Sequence, residues 1–276
     1  MKRARPLLGT YVEIEANGLN DDCLQLAINA AFAAIDKVQT LMSVHDHRSQ
    51  LSRLNRHAFG RQLRVHPWLF EVLQMAVKLH KQTGGRFDCT IAPALKRLGY
   101  LTSMSVRKIR NGNSADIDLK PAYRVRFTKR LSIDLGGIAK GFAVDKAVEA
   151  LKKHGASSAT VNAGGDLRVY GNIASPVFLR KPENPAQLVE VGQLQNGAMA
   201  TSASYFSKRR HGQQDRSALI NAKAKSKAKT SLVTTHSYSV IAPSCMLADG
   251  LTKALIFSGH SSTAYMRKYK ARSLIL

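Results

Sequence analysis

Ile133-Asp-Leu-Gly-Gly-Ile-Ala-Lys-Gly-Phe-Ala-Val-Asp145 is the stretch that organises the reading of the whole chain. An apolar strand over residues 131–135 delivers the carboxylate of Asp134 to its end. Two glycines then let the backbone approach a neighbour closely, and a helix opens at once and runs to about His154. The exposed amides of such a helix start favour an anion such as a pyrophosphate. Lys140, one turn in, adds a cation, and Asp134 is a candidate acceptor for a nucleotide. Paired glycines before a helix also serve as a plain packing turn, so the segment alone leaves both readings open. Its spacing fits neither a Walker phosphate loop nor a Rossmann glycine pattern.

Outward from this stretch, Thr10-Tyr-Val-Glu-Ile-Glu15 alternates as a half-buried strand does. Asn17-Gly18 supplies a turn and Asn20 a helix cap. Leu24, Ile28, Ala31, Ile35, Val38 and Leu41 then recur at helical spacing. Leu69, Val72, Leu73, Ala76, Val77 and Leu79 repeat that pattern, and Thr83-Gly84-Gly85 stops the second helix. Residues 114–128 read as two strands, and Ala159-Thr-Val-Asn162 as another. A last helix begins at Met246, with Ala248, Leu251, Ala254 and Leu255 on its buried side. Strands and helices that do not alternate strictly predict an α+β fold of mixed sheets with packed helices, rather than a doubly wound sheet. No internal repeat or linker divides residues 1–276, which read as a single domain.

Composition narrows the function classes only partly. Among 276 residues, 42 Lys and Arg against 18 Asp and Glu give a net charge of +24, which draws phosphates, nucleic acid or acidic proteins alike. Part of it sits in Lys223-Ala-Lys-Ser-Lys-Ala-Lys229, read as a mobile solvated loop. No zinc-finger spacing, RNA-recognition aromatic signature or basic heptad helix supports nucleic acid as the partner. Cys23, Cys89 and Cys245 are far apart and odd in number, so they predict neither a disulfide framework nor a metal pair, which suits a reducing compartment. The basic start Met1-Lys-Arg-Ala-Arg-Pro6 is followed by no apolar stretch of signal length, and no run reaches the ~20 apolar residues of a membrane span. The expectation is a cytoplasmic protein with no membrane span.

Further motifs flank the central stretch: Arg5-Pro-Leu-Leu-Gly-Thr10, Leu41-Met-Ser43 through Ser49-Gln-Leu-Ser-Arg-Leu-Asn55, and Gly85-Arg-Phe-Asp-Cys-Thr90. Beyond it lie Asn162-Ala-Gly-Gly-Asp166, Ala200-Thr-Ser-Ala-Ser-Tyr205 and Ala248-Asp-Gly-Leu-Thr-Lys253. The last sets a carboxylate and a hydroxyl one helical turn apart, the hard oxygens that Mg²⁺ prefers. In this order, from about Pro6 to about Gly259, the motifs resemble the ApbE family of FAD:protein FMN transferases. The resemblance implies a T-fold-related architecture and a reaction that moves FMN from FAD onto a Thr or Ser hydroxyl of an acceptor flavoprotein, with AMP released. It implies FAD contacts at Leu8, His45, Arg86, Phe87, Asp88, Asp134, Lys140, Thr201 and Leu219. It implies Mg²⁺ held by Asp249, the Gly137 carbonyl and Thr252, and a catalytic group of Asp249, Thr252 and Lys253. Family members are often exported.

The chain also departs from the family pattern. Lys253 stands where a Thr is usual, with Thr252 one residue earlier and rotated by about 100° around the helix. There, Thr252 is rescued as a ligand by local rearrangement, or the Lys253 ammonium replaces part of the metal's charge, or Lys253 is an exposed helix residue. Ser217-Ala-Leu-Ile-Asn-Ala222 replaces a motif that reads His, two aliphatics, Asp, Pro, so Ala218 stands where the resemblance implies a base. His45 replaces a flavin-facing aromatic, Leu8 replaces a Met, and His211 and His236 flank the altered loop. These departures motivate alternatives: an FAD-binding relative that transfers nothing, or a pyrophosphatase that splits FAD to FMN and AMP.

Overall fold

Alternation in Thr10–Asn17 buries Val12, Ile14 and Ala16 completely and turns the residues between them to solvent, the pattern of a strand with one face on the core. The computed structural model describes residues 1–101, 112–205, 207–211, 214–224, 231–259 and 263–276. Its first half runs β1 (Lys2–Leu7), β2 (Thr10–Asn17), α1 (Asp21–Met42), α2 (Gln50–His57), β3 (Leu63–Arg64), α3 (Pro67–Gln82), α4 (Ala92–Arg97), β4 (Ile117–Lys120) and β5 (Arg124–Phe127). The second runs α5 (Ala139–Lys153), β6 (Ser158–Ala163), β7 (Asp166–Arg180), β8 (Leu188–Ser202), β9 (Arg209–His211), β10 (Gln214–Arg216), β11 (Tyr238–Ala242), α6 (Cys245–Ser258), α7 (Ala264–Lys268) and β12 (Arg272–Ile275). The chain gathers into two compact units. The first holds Met1–Gln39, Ile138–Ala203 and Thr235–Leu276, the second Thr40–Gly137 and Ser204–Thr234.

The first unit is built on a seven-stranded sheet in the order β1-β2-β6-β7-β8-β11-β12, with every neighbouring pair antiparallel. Leu8 and Gly9 alone link β1 to β2, at φ of 57° and 71°, the left-handed pair that a tight hairpin requires. Leucine rarely adopts that backbone, and its amide is held by Gln39 Oε1 at 2.6 Å. Gly164-Gly165 makes the corresponding turn between β6 and β7, where a Cβ on Gly164 would come within 2.5 Å of Thr10 Oγ1. Helices α5 and α6 pack on this sheet and on each other. Helix α1 buries the expected stripe of Leu24, Ile28, Ala31, Ile35, Val38 and Leu41, and Asn20 Oδ1 caps it by accepting from the Cys23 amide at 2.9 Å. No helix among the described residues is long and apolar enough to cross a membrane.

The second unit holds α2, α3, α4 and two small sheets, β3-β5-β4 and β10-β9. Helix α3 buries Leu69, Val72, Leu73, Ala76 and Leu79 and ends at Thr83, as the glycine signal predicts. Two sequence expectations change here. Residues 114–128 begin with a 3-10 turn, Ser114–Asp116, before the two strands start. Residues 131–135 belong to no sheet. Asn55 takes the place of a strand partner, accepting from the Ile133 amide at 2.8 Å and donating to the Ile133 carbonyl at 2.9 Å, while the Cys89 carbonyl accepts from the Asp134 amide at 2.8 Å. The expected loop beyond Ala224 lies outside the described residues.

Candidate functional site

Helices α5 and α6 cap one another. Asp145, in the second turn of α5, accepts from the Cys245 and Met246 amides that open α6, each at 2.9 Å. Asp249, in the second turn of α6, accepts from the Gly141 amide near the start of α5 at 3.2 Å. Carboxylates at helix N-termini satisfy amides that have no intrahelical partner and complement the local positive potential. The exchange needs close backbones, and Gly141 allows it: a Cβ there would lie 2.2 Å from the Cys245 carbonyl oxygen. Arg168 on β7 completes the Asp145 pairing through a short contact to its carboxylate. No side chain caps α5 from Ile138.

Beside that crossing lies a cluster of two cations and two carboxylates. Lys140 of α5 makes a short ion pair with Asp166, the first residue of β7. Lys253 of α6 donates to Asp249 Oδ1 at 2.5 Å, Ser202 Oγ at 2.8 Å and Thr252 Oγ1 at 3.1 Å. Thr252 in turn donates to the Asp249 carbonyl at 2.7 Å and lies 2.9 Å from Ser202 Oγ. Burial works to raise the Asp249 carboxyl, but Lys253 and Lys140 outweigh it and hold Asp249 below the usual carboxylate range. Burial works to lower the Lys140 ammonium, and Asp166 and Asp249 overcome it and hold it above the usual lysine range. Burial and the neighbouring Asp249 push Asp166 up against the pull of Lys140. The sequence-predicted Asp249, Thr252, Lys253 and Lys140 are thus brought together, with Asp166 and Ser202. Thr201 faces elsewhere in its bonding, pairing with Ser239 Oγ at 2.8 Å, and Leu8 sits half-buried in the β1–β2 turn.

In the second unit Asp88 is the hub. Its Oδ1 accepts from the Thr90 amide, Thr90 Oγ1 and Ser114 Oγ, each at 2.8 Å, and its Oδ2 lies 3.1 Å from His80 Nδ1. Burial opposes ionisation of Asp88, but His80 and these donors hold it below the usual carboxylate range. The same hydrogen bond to Asp88 holds the His80 imidazole above its ordinary value against burial. Asp134 joins this region through the Cys89 carbonyl. Burial raises its carboxyl although the Gly136 amide donates to it at 2.9 Å. Arg86 is exposed and donates to the Thr83 carbonyl at 3.2 Å, whereas Phe87 is only 3% exposed and packs as core. Leu219 is also buried, its amide held by Ser217 Oγ at 3.1 Å. Gly137 ends the first segment of this unit, Thr40–Gly137, and His45 lies near the start of that segment. The side chain of His211 lies outside the described residues. Buried Cys89 is pushed up to about 12 and Cys245 well above the thiol range, chiefly by burial, so neither is a thiolate at neutral pH.

Sequence reading missed His80 and Ser114 around Asp88, Ser202 beside Lys253, and the pairing of Asp145 with Arg168. His80 sits on the last turn of α3, eight residues before Asp88, where a chain reversal at Gly84-Gly85 is the available signal. Ser202 lies in Ala200-Thr-Ser-Ala-Ser-Tyr205, a stretch with no spacing relation to Lys253.

The ApbE family model matches residues 8–275. The FAD:protein FMN transferase of Vibrio cholerae is 26% identical over 289 residues, covering 92% of this chain and 80% of that protein. That of Haemophilus influenzae is 27% identical over 251 residues, covering 82% and 71%. Among solved structures, the flavin transferase ApbE from Vibrio cholerae matches with a TM-score of 0.80 at 23% identity, over 100% of this chain and 92% of that one. The ApbE protein from Thermotoga maritima gives 0.79 at 21% identity, over 100% and 93%. The structural likeness establishes the fold as the ApbE-like α+β architecture. With the family model matched over nearly its whole length, this chain belongs to the ApbE family.

Proposed function

We propose that the whole chain, 1–276, acts as an FAD:protein FMN transferase. The observation that carries the reading is the cation cluster at the start of α5: Lys140 and Lys253, each oriented by a carboxylate, beside a helix start whose N-cap residue, Ile138, supplies no side-chain hydrogen bond. A diphosphate suits such a place, because leading helix amides and fixed ammonium groups both favour phosphate oxygens. Relatives named for this reaction support the same substrate. In the second unit, Asp88, Asp134, His45 and Arg86 remain the proposed polar contacts to FAD, and the buried Phe87 and Leu219 the proposed apolar ones. Leu8 and Thr201 are the corresponding proposals in the first.

The chemistry is displacement at phosphorus. The acceptor Thr or Ser oxygen forms a bond to the FMN phosphorus, the bond from that phosphorus to the bridging oxygen breaks, and AMP leaves with the bridging electron pair. The hydroxyl proton passes to solvent. Lys140 stabilises charge that accumulates on the phosphate oxygens as AMP departs, held in place by Asp166, and Lys253, whose donors go to Asp249, Thr252 and Ser202, adds its positive field rather than a direct hydrogen bond. Ala218 offers no base, so in this reading the hydroxyl proton leaves without help from that position.

The Mg²⁺ implied by the resemblance does not fit Asp249 as its surroundings stand. The oxygens that would face the ion accept from the Lys253 ammonium, and no group of three or more His, Cys, Asp or Glu able to hold a metal occurs among the described residues.

Incubation with FAD and an acceptor flavoprotein, followed by intact mass, tests the reading. The acceptor should gain the mass of one FMN residue, and its Thr→Ala or Ser→Ala variant should gain none. FAD binding with no mass gain across several acceptors would favour the flavin-carrier alternative that Ala218 and Asn221 motivate. FMN and AMP formed without any acceptor would make water the acceptor and the protein a pyrophosphatase.

A further inference from the structure

We infer that Lys253 is a built-in cation, its ammonium occupying the position at Asp249 that a divalent metal would take, so that this carboxylate recruits no metal. The purpose of the device rests on the FMN-transfer reading, but its content rests on geometry. Oxygens from Asp249 and Thr252 on α6 and from Ser202 at the end of β8 converge on Lys253 Nζ at 2.5, 3.1 and 2.8 Å. An ammonium has three donors, and all three are matched. These separations are those of N–H···O contacts. Magnesium draws its oxygens to about 2.0–2.1 Å and keeps several waters beside it. Asp249 and Thr252 are 0% exposed, which leaves those oxygens no room for a hydrated ion alongside the ammonium.

Charge supports the same conclusion. Lys140 and Lys253 balance Asp166 and Asp249, and a divalent ion added to that neutral group would bring two uncompensated charges into a buried place. Without Lys253 the group carries one net negative charge and an open set of hard oxygens, which is what a divalent ion requires. The second Asp249 oxygen is occupied by the Gly141 amide, so the carboxylate cannot swing away to serve a metal elsewhere. A protonated amine has no lone pair to offer as a ligand. Ammonium and metal therefore compete for these oxygens and do not share them.

Mn²⁺ is the probe, because its free-ion electron paramagnetic resonance signal disappears on binding. Wild-type protein should leave the signal unchanged where Lys253→Thr, melting close to wild type, takes up about one Mn²⁺ with affinity raised tenfold or more, roughly the effect of one unpaired buried charge. Adding Asp249→Asn to Lys253→Thr should abolish that uptake. FAD affinity, followed by flavin fluorescence, should be the same in EDTA and in Mg²⁺ for the wild type and metal-dependent for Lys253→Thr. Wild-type Mn²⁺ uptake that Asp249→Asn removes would overturn the inference, as would a folded Lys253→Thr that binds no more Mn²⁺ than its parent. If Lys253→Thr does not fold, the wild type and its Asp249→Asn variant decide alone, since Asp249-dependent uptake overturns the inference and its absence upholds it. The Mn²⁺ measurement uses no flavin, so failure of FMN transfer would sink the proposed activity and leave this result standing.

Discussion

His80 and Asp88 show how much a single contact changes the chemistry available to each partner. His80 is held above its ordinary pKa of about 6.5, so its contribution to stability is full below that value and fades as pH rises through the raised one. Asp88 is held below its ordinary range, so its contribution is present above about pH 4 and fades only in acid. His80→Gln should therefore cost about 1.5–3 kcal/mol at pH 6, the range for a bond to a charged group, and clearly less at pH 9. Denaturant melts at the two pH values check this, and an equal loss at both would refute the pairing of a charged His80 with Asp88. Asp145 makes a stronger demand. Asp145→Ala strips the Cys245 and Met246 amides and Arg168 of their acceptor together, and breaking one partner of a buried pair costs about 3–5 kcal/mol. A loss below 1 kcal/mol in the same melts, far under that range, would contradict the capping role. Of these residues the sequence made Asp88, Asp134, Lys140 and Asp249 legible through short motifs. It hid His80, Ser114 and Ser202, whose roles exist only once distant segments fold together.

Elements whose evidence is local were read closely. The stripes from Leu24 and Leu69 became α1 and α3, the Thr10 alternation became β2, and the helix expected from Met246 is α6, which starts one residue earlier at Cys245. Residues 131–135 were misread as a strand because their partner is a side chain, Asn55, 78 residues away from Ile133. Nothing in an apolar run tells a ladder from a clamp of that kind. The α5–α6 crossing was equally invisible, because Gly141 reads as an ordinary glycine after Lys140 until Cys245 is placed against it. Gly141→Ala should push the helices apart at a cost of about 1–3 kcal/mol or more, since its Cβ would meet the Cys245 carbonyl at 2.2 Å. It should also weaken FAD binding by displacing Lys140 and Asp249, which equilibrium fluorescence titration measures. A variant as stable and as tight-binding as the parent would show that the close approach is unnecessary.

For the molecule as a whole, composition said least and order of motifs said most. The charge of +24 fits an anionic substrate but chooses none, whereas the family match over residues 8–275 takes in nearly all of the stretch from Pro6 to Gly259 that the motifs occupy. The sheet order β1-β2-β6-β7-β8-β11-β12 was not legible, because β2 pairs with β6 across more than a hundred residues and no local pattern encodes that choice. What joins the scales is the claim that this chain moves FMN out of FAD and does so with its own ammonium groups. The direct measurement counts AMP released and FMN bound to an acceptor flavoprotein in the same EDTA-treated sample, with and without Mg²⁺ added back. One AMP per acceptor-bound FMN, at the same rate in both conditions, is expected. Folded, FAD-loaded protein that forms neither product in EDTA and both on addition of Mg²⁺ would show that the cation at Asp249 must come from solution.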